Sequence, residues 1–205
     1  MPIDLRRLLF KKRPIRIRRY GSTSIHRVYT NLYLREYCRD LNPGSVINIG
    51  DRPDAPDKEG STYEAYFPKA GFRTLDLASH DHPRHIAGDL MTGQDFGSYD
   101  LVLLMSVIEH IDRPWIAAKN ITKMIRPGGH LYIAMPFFYP VHEGPYYGDH
   151  WRARATAMPF LFPDLVVVNS DEHPSAIRTV RDRRMYWNNP GSTSAGFSML
   201  MRRPL

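Results

Sequence analysis

The chain has 205 residues, 42% of them hydrophobic and 24% charged, an ordinary globular composition long enough for one sizeable core. No apolar run approaches the roughly 18 residues of a membrane-spanning helix, and the first ten residues lack a signal peptide's apolar core and cleavage site, so a cytoplasmic protein is expected. The single cysteine, Cys38, excludes an internal disulfide and a Cys-rich metal site, and the net charge of +7 is carried by residues 1–27, where nine basic residues face one acid, Asp4.

Residues 1–21 read as a basic arm able to touch phosphate on nucleic acid, lipid headgroups or a phosphorylated substrate, and residues 22–205 as the folded domain. Ser22, Thr23 or Ser24 can cap a helix in which Ile25, Val28, Tyr29 and Leu32 recur on one face, with Asn42-Pro43-Gly44 as its stop. Ser45 to Gly50 is a short apolar run ending in glycine, which predicts a buried strand and a turn. The Pro-, Asp- and Gly-rich stretch from Asp51 to Ser61 predicts a loop with little room for a long helix. Strands are expected at 72–76, 84–87 and 99–104, the last with the continuous apolar character of a central parallel strand. Asp112 is the expected cap of a second helix, with Pro114 in its first turn, Ala117, Ile121, Met124 and Ile125 on its inner face, and Pro127-Gly128-Gly129 as its end. Strands at 131–135, 165–168 and 196–201 complete the chain, the last after a turn-rich segment at 188–192. Trp115 and Trp151 are expected to pack in the core or under a lid. This alternation predicts a mostly parallel α/β sheet with its ligands beyond the carboxyl ends of the strands.

At those ends stand Gly50, Asp76, Gly88-Asp89-Leu90 and Met105-Ser106. A strand-end carboxylate such as Asp76 can accept hydrogen bonds from both vicinal hydroxyls of a ribose. In this order the residues resemble the class I S-adenosylmethionine-dependent methyltransferases, over about residues 40–205. Val46-Ile47-Asn48-Ile49-Gly50 is similar to that family's motif I, and Thr74-Leu75-Asp76 to the acidic end of its second strand. Gly88-Asp89-Leu90 resembles the adenine-contacting motif, residues 99–111 the fourth-strand signature, and Ile125-Arg126-Pro127-Gly128-Gly129-His130-Leu131 the segment before strand five. Pro136-Phe137-Phe138-Tyr139-Pro140-Val141-His142, followed by Asp149-His150-Trp151-Arg152 and Thr156, resembles a bacterial subgroup associated with glycan or secondary-metabolite modification.

The resemblance implies a Rossmann-like fold with a seven-stranded, mostly parallel sheet whose last strand is antiparallel. It implies S-adenosyl-L-methionine as cofactor, with Asn48, Gly50, Asp76, Asp89, Leu90, Met105 and Ser106 as its contacts. Two departures stand out. Asn48 replaces the acid of strand one, and the glycine-rich loop is reduced to Gly50-Asp51-Arg52-Pro53, which implies a different loop shape beside the methionine part of the cofactor.

Methyl transfer from a sulfonium is an in-line displacement, and a hydroxyl acceptor must also lose its proton. His142, just past strand five, is the expected base, with Asp149 or Glu143 to orient it and His150 as the competing base; alternatively His142 and the Asp149-His150-Trp151-Arg152 run only lock the loop by hydrogen bonding and stacking. Glu109 and His110 are expected to shape the site. Asp81, His82, His85 and Asp89 match no tight ligand spacing, so no metal is expected. The expected function is O-methylation of a hydroxyl on a glycan or secondary metabolite. The alternatives are an RNA methyltransferase using the basic arm and a cofactor-free binding subunit. Nucleic acid is the less favoured partner, because strand four is followed by Met105-Ser106-Val107-Ile108, not the Asn/Asp-Pro-Pro-aromatic motif of amino-directed enzymes.

Overall fold

Successive strand residues face opposite sides of a sheet, and in the central strands of this chain both sides are apolar. The computed structural model describes residues 23–174 and 194–205; the basic arm and the turn-rich segment at 188–192 lie outside them. Seven strands, β1 (Ser45–Ile49), β2 (Gly71–Asp76), β3 (His85–Ala87), β4 (Tyr99–Met105), β5 (Ile125–Pro136), β6 (Val166–Pro174) and β7 (Ser194–Arg202), form one sheet in the order β3-β2-β1-β4-β5-β7-β6. The first five pair in parallel, and β7 runs antiparallel to both β5 and β6. The expected seven-stranded sheet with an antiparallel last strand is the fold observed.

The alternation sorts the core into two layers. Leu101, Leu103, Tyr132, Ala134 and Leu200 pack on one face with Tyr29, Tyr33 and Leu34 of α1 (Ile25–Tyr37). Val102, Leu104, Leu131, Ile133, Phe197 and Met199 pack on the other with Ala117, Ala118 and Ile121 of α2 (Pro114–Lys123), and with Met158 of α3 (Met158–Leu161). Covering both faces forces the near-continuous apolar run of β4. At the sheet edge, Val166, Val167 and Val168 of β6 are about half exposed.

Ser24 is the N-cap of α1, its Oγ accepting the Arg27 amide N–H at 3.2 Å. The helix ends at Tyr37, before the expected Asn-Pro-Gly stop, and its buried face includes His26, Thr30 and Asn31 while Ile25 and Leu32 are only partly buried. Arg113, not Asp112, is the N-cap of α2: the residue before Pro114 is kept out of the helical region (φ −122°, ψ 71°) and so ends the non-helical lead-in. That helix ends at Lys123, and Pro127-Gly128-Gly129 lies within β5. Gly129 approaches the carbonyl oxygens of Arg126, Tyr99 and Asp100 so closely that a Cβ would stand 2.9–3.1 Å from them, and the β4–β5 register shifts beside it. Trp115 and Trp151 are 56% and 39% exposed, and meet each other edge to face at 6.1 Å instead of packing in the core. Between β1 and β2 the chain forms the expected loop, with a single 3-10 turn at Glu64–Tyr66 and no α-helix.

Candidate active site at the carboxyl ends of the strands

The parallel strands β1, β2, β3, β4 and β5 deliver their carboxyl ends to one rim. Gly50 ends β1 in the left-handed region (φ 76°), and a Cβ there would run into Cγ2 of Val107, so only glycine lets the chain turn beneath the segment after β4. Its amide donates to Leu75 O at 2.7 Å, tying the ends of β1 and β2 together.

Asn48 is buried, and its amide donates to Asp51 Oδ2 at 3.0 Å; the Arg52 N–H donates to Oδ1 at 3.0 Å. The acid missing from the strand is thus present three residues later, in the turn. Burial pushes the Asp51 carboxyl upward, and these two donors partly offset it. Asp76 ends β2, with Oδ1 accepting the Ala78 N–H at 2.9 Å, and Asp89 Oδ1 accepts the Met91 N–H at 2.8 Å. Leu90 and Met105 are core residues on opposite faces of the sheet.

Ser106 follows β4 at φ 58°, a conformation that costs an L-residue energy and that clusters at functional sites. Its Oγ lies 3.1 Å from His26 Nε2; His26 Nδ1 lies 3.0 Å from His173 Nδ1, and His173 Nε2 2.9 Å from Ser198 Oγ. The Tyr132 hydroxyl lies 2.8 Å from Ser198 Oγ and 2.6 Å from Thr30 O. A carbonyl only accepts, so the one Tyr132 proton goes to Thr30. Ser198 then donates to Tyr132, His173 donates from Nε2 to Ser198, and His26 donates from Nδ1 to His173. Ser106 therefore gives its proton to His26 Nε2, and its oxygen is left as an acceptor. Burial holds both imidazoles neutral, with His26 well below its ordinary pKa and His173 down to about 3.

Beyond β5 the loop carrying His142 folds back over the rim. Asp149, its side chain 1% exposed, accepts hydrogen bonds from both Nη atoms of Arg152, and it accepts the His142 N–H at 3.1 Å. The Arg152 guanidinium, with this amide, draws the Asp149 carboxyl down to about 2. His142 Nδ1 stands 3.3 Å from Asp149 Oδ2 and 3.2 Å from Pro140 O. Of the two residues expected to orient His142, Asp149 is the one in contact. The His150 ring packs over Gly148, and its backbone N–H donates to Glu109 O at 2.8 Å. The Tyr139 ring lies between His142 (5.0 Å) and His26 (6.3 Å), joining the loop to the Ser106 chain.

The sequence reading missed His26 and His173 as members of this assembly, and held Arg152 only as part of a run that could lock the loop. Arg152 had a signal, a basic residue three positions after Asp149. His26 had none, since it lies in a helix 80 residues before Ser106.

A family model described as a methyltransferase domain matches residues 28–178. No curated protein matches the chain. Among solved structures, the N-methyltransferase NodS from Bradyrhizobium japonicum WM9, in complex with S-adenosyl-L-homocysteine, is 16% identical with a TM-score of 0.60, and the match covers 91% of each chain. The 1,6-didemethyltoxoflavin-N1-methyltransferase of Burkholderia thailandensis, with bound 1,6-didemethyltoxoflavin and S-adenosylhomocysteine, is 14% identical with a TM-score of 0.55, covering 88% of this chain and 79% of that one. The [4+2]-cyclase SpnF is 10% identical with a TM-score of 0.57, covering 87% and 81%. At these identities the likeness is one of fold, and the presence of a cyclase shows that the fold alone does not set the reaction.

Proposed function

The chain belongs to the methyltransferase-domain family and is an S-adenosylmethionine-dependent methyltransferase, and from that premise we propose that it methylates a hydroxyl of a small molecule, on a glycan or a secondary metabolite, with His142 as general base. The observation that carries this reading is the contact of His142 Nδ1 with Asp149 Oδ2 under the lock of Arg152. Pro140 O accepts at Nδ1, with the Asp149 carboxylate 3.3 Å from the same atom, so the proton resides there and Nε2 keeps the lone pair. An amine reacts through its own lone pair once neutral, whereas a hydroxyl must lose its proton as the bond forms, and an oriented base suits the second case.

The residues present fit the cofactor. Gly50 admits the tight turn at the end of β1, and carboxylates stand at that turn (Asp51), at the end of β2 (Asp76) and after β3 (Asp89). In this reading Asp76 holds the ribose hydroxyls, Asp89 and Leu90 the adenine, and Asn48, Gly50, Met105 and Ser106 the methionine part. The bound cofactor supplies an electrophilic methyl on a sulfonium. Ser106, its proton committed to His26, offers an acceptor to a donor group of the bound molecules, and the loop from Phe137 to Arg152 places His142 beside the acceptor.

Transfer of a labelled methyl group from S-adenosylmethionine to a panel of phenols, sugar hydroxyls, amines and RNA tests the proposal. Label on hydroxyl compounds is expected. Label confined to amines or to RNA would overturn it, as would the failure of S-adenosylhomocysteine to bind in a calorimetric titration.

A further inference from the structure

Glu109 follows β4 in a 3-10 turn, is fully buried, and among the described residues has no hydrogen-bond partner at either carboxylate oxygen. Protonation does not resolve this, because a protonated carboxyl still needs an acceptor, and buried polar groups left alone are rare. What faces Glu109 is a pair of imidazoles. His110 Nε2 stands 3.9 Å from Glu109 Oε1, and one ligand atom from each of Glu109, His110 and His142 lies within 4.8 Å of the other two. The His110 and His142 rings meet edge to face at 4.7 Å.

Both rings are held by oxygen acceptors at Nδ1. His110 Nδ1 lies 2.6 Å from Gly148 O, and His142 Nδ1 faces Pro140 O and Asp149 Oδ2. In each ring this places the proton on Nδ1 and the lone pair on Nε2. That is how proteins fix the tautomer and orientation of metal-binding histidines. The loop is anchored on the same residue, since His150 N and Trp151 N both donate to Glu109 O.

We propose that Glu109, His110 and His142 form a site for a divalent transition-metal cation. Two imidazole nitrogens and one carboxylate suit Zn2+ and its first-row neighbours better than Mg2+ or Ca2+, which take oxygen ligands. The three groups close on the ion by a small contraction, to the roughly 2.0–2.2 Å of zinc–ligand bonds. The consequence for catalysis rests on the reading of His142 as base: its Nε2 lone pair serves either the cation or the acceptor's proton, so the loaded protein does not transfer the methyl group.

The test is a calorimetric titration of Zn2+ into the chelator-treated full chain, repeated with Glu109→Gln, His110→Ala and, as a control on the other histidines, His82→Ala. One saturable site is expected, weakened at least roughly tenfold by the first two changes and untouched by the third. No saturable binding, or wild-type affinity in both site variants, would overturn it. Should Glu109→Gln fail to fold, as circular dichroism would show, His110→Ala decides alone. Because binding is read without any acceptor, the site can fail while His142 remains the base, and the base can fail while Zn2+ still binds. Full methyl transfer by the Zn2+-saturated protein would overturn the mutual exclusion.

Discussion

The Nδ1 atoms of His26 and His173 stand 3.0 Å apart across the buried seam between α1 and β6, and one proton joins them. Burial is the main reason both stay neutral, and at His173 a second proton would also set its Nδ1–H against that of His26. His173 is also stacked near Tyr29 and Tyr33, at 5.8 Å from each ring.

This makes the fold acid-labile over a defined range. Both folded pKa values lie below the ordinary 6.5, with burial as the largest cause. Above about pH 6.5 neither state takes up the protons and the stability is fully present; below it the unfolded chain binds them and the fold does not. Stability is expected to fall by about 1.4 kcal/mol per pH unit for each histidine, for His173 down to about pH 3. Urea denaturation at pH 8, 7, 6 and 5 measures this slope, and His173→Gln should remove the His173 share. A flat profile between pH 7 and 5 would show that the folded pair takes up protons as the unfolded chain does, and would overturn this.

Asp76→Ala should weaken S-adenosylhomocysteine binding at least tenfold. Hydrogen bonds from ribose hydroxyls to a carboxylate contribute about 1.5–3 kcal/mol each, and about 1.4 kcal/mol is tenfold in affinity. An unchanged dissociation constant by calorimetry would remove Asp76 from the site.

His142→Ala should reduce methyl transfer about 10²- to 10⁴-fold, the usual share of a general base, while leaving cofactor affinity nearly intact. Turnover on the hydroxyl acceptor that the labelling panel identifies is the measurement. If His150→Ala loses turnover and His142→Ala does not, the base belongs to the next position of the loop.

Gly50→Ala should destabilise the fold and loosen cofactor binding together. Alanine pays about 1–2 kcal/mol for the left-handed conformation, and its methyl group overlaps Val107, a crowding that typically costs about 1–3 kcal/mol. Thermal melts with and without S-adenosylhomocysteine measure both effects. A double variant with Val107→Ala should recover the crowding part only.

The succession of strands along the chain and the residues at their carboxyl ends were legible in the sequence, and for a physical reason. A strand buried on both faces has to be apolar along its length, as 101–104 is, and a chain leaving such a strand has to turn, as it does at Gly50, Asp76 and Ser106. Local chemistry announces both. Boundaries were less legible where a neighbouring element intervened: Pro127-Gly128-Gly129 carries the composition of a helix stop, but the backbone of β4 beside Gly129 draws it into β5. The assembly of side chains was decided by tertiary structure alone. His26 and His173 are 147 residues apart, and nothing in the periodicity of α1 distinguishes a histidine facing a tyrosine-lined seam from one facing water. Likewise Glu109 and His142 belong to different strand exits, and only the parallel sheet, which sends β4 and β5 to the same rim, brings their side chains together. Periodicity reports which residues are covered; the register of distant strands determines what covers them.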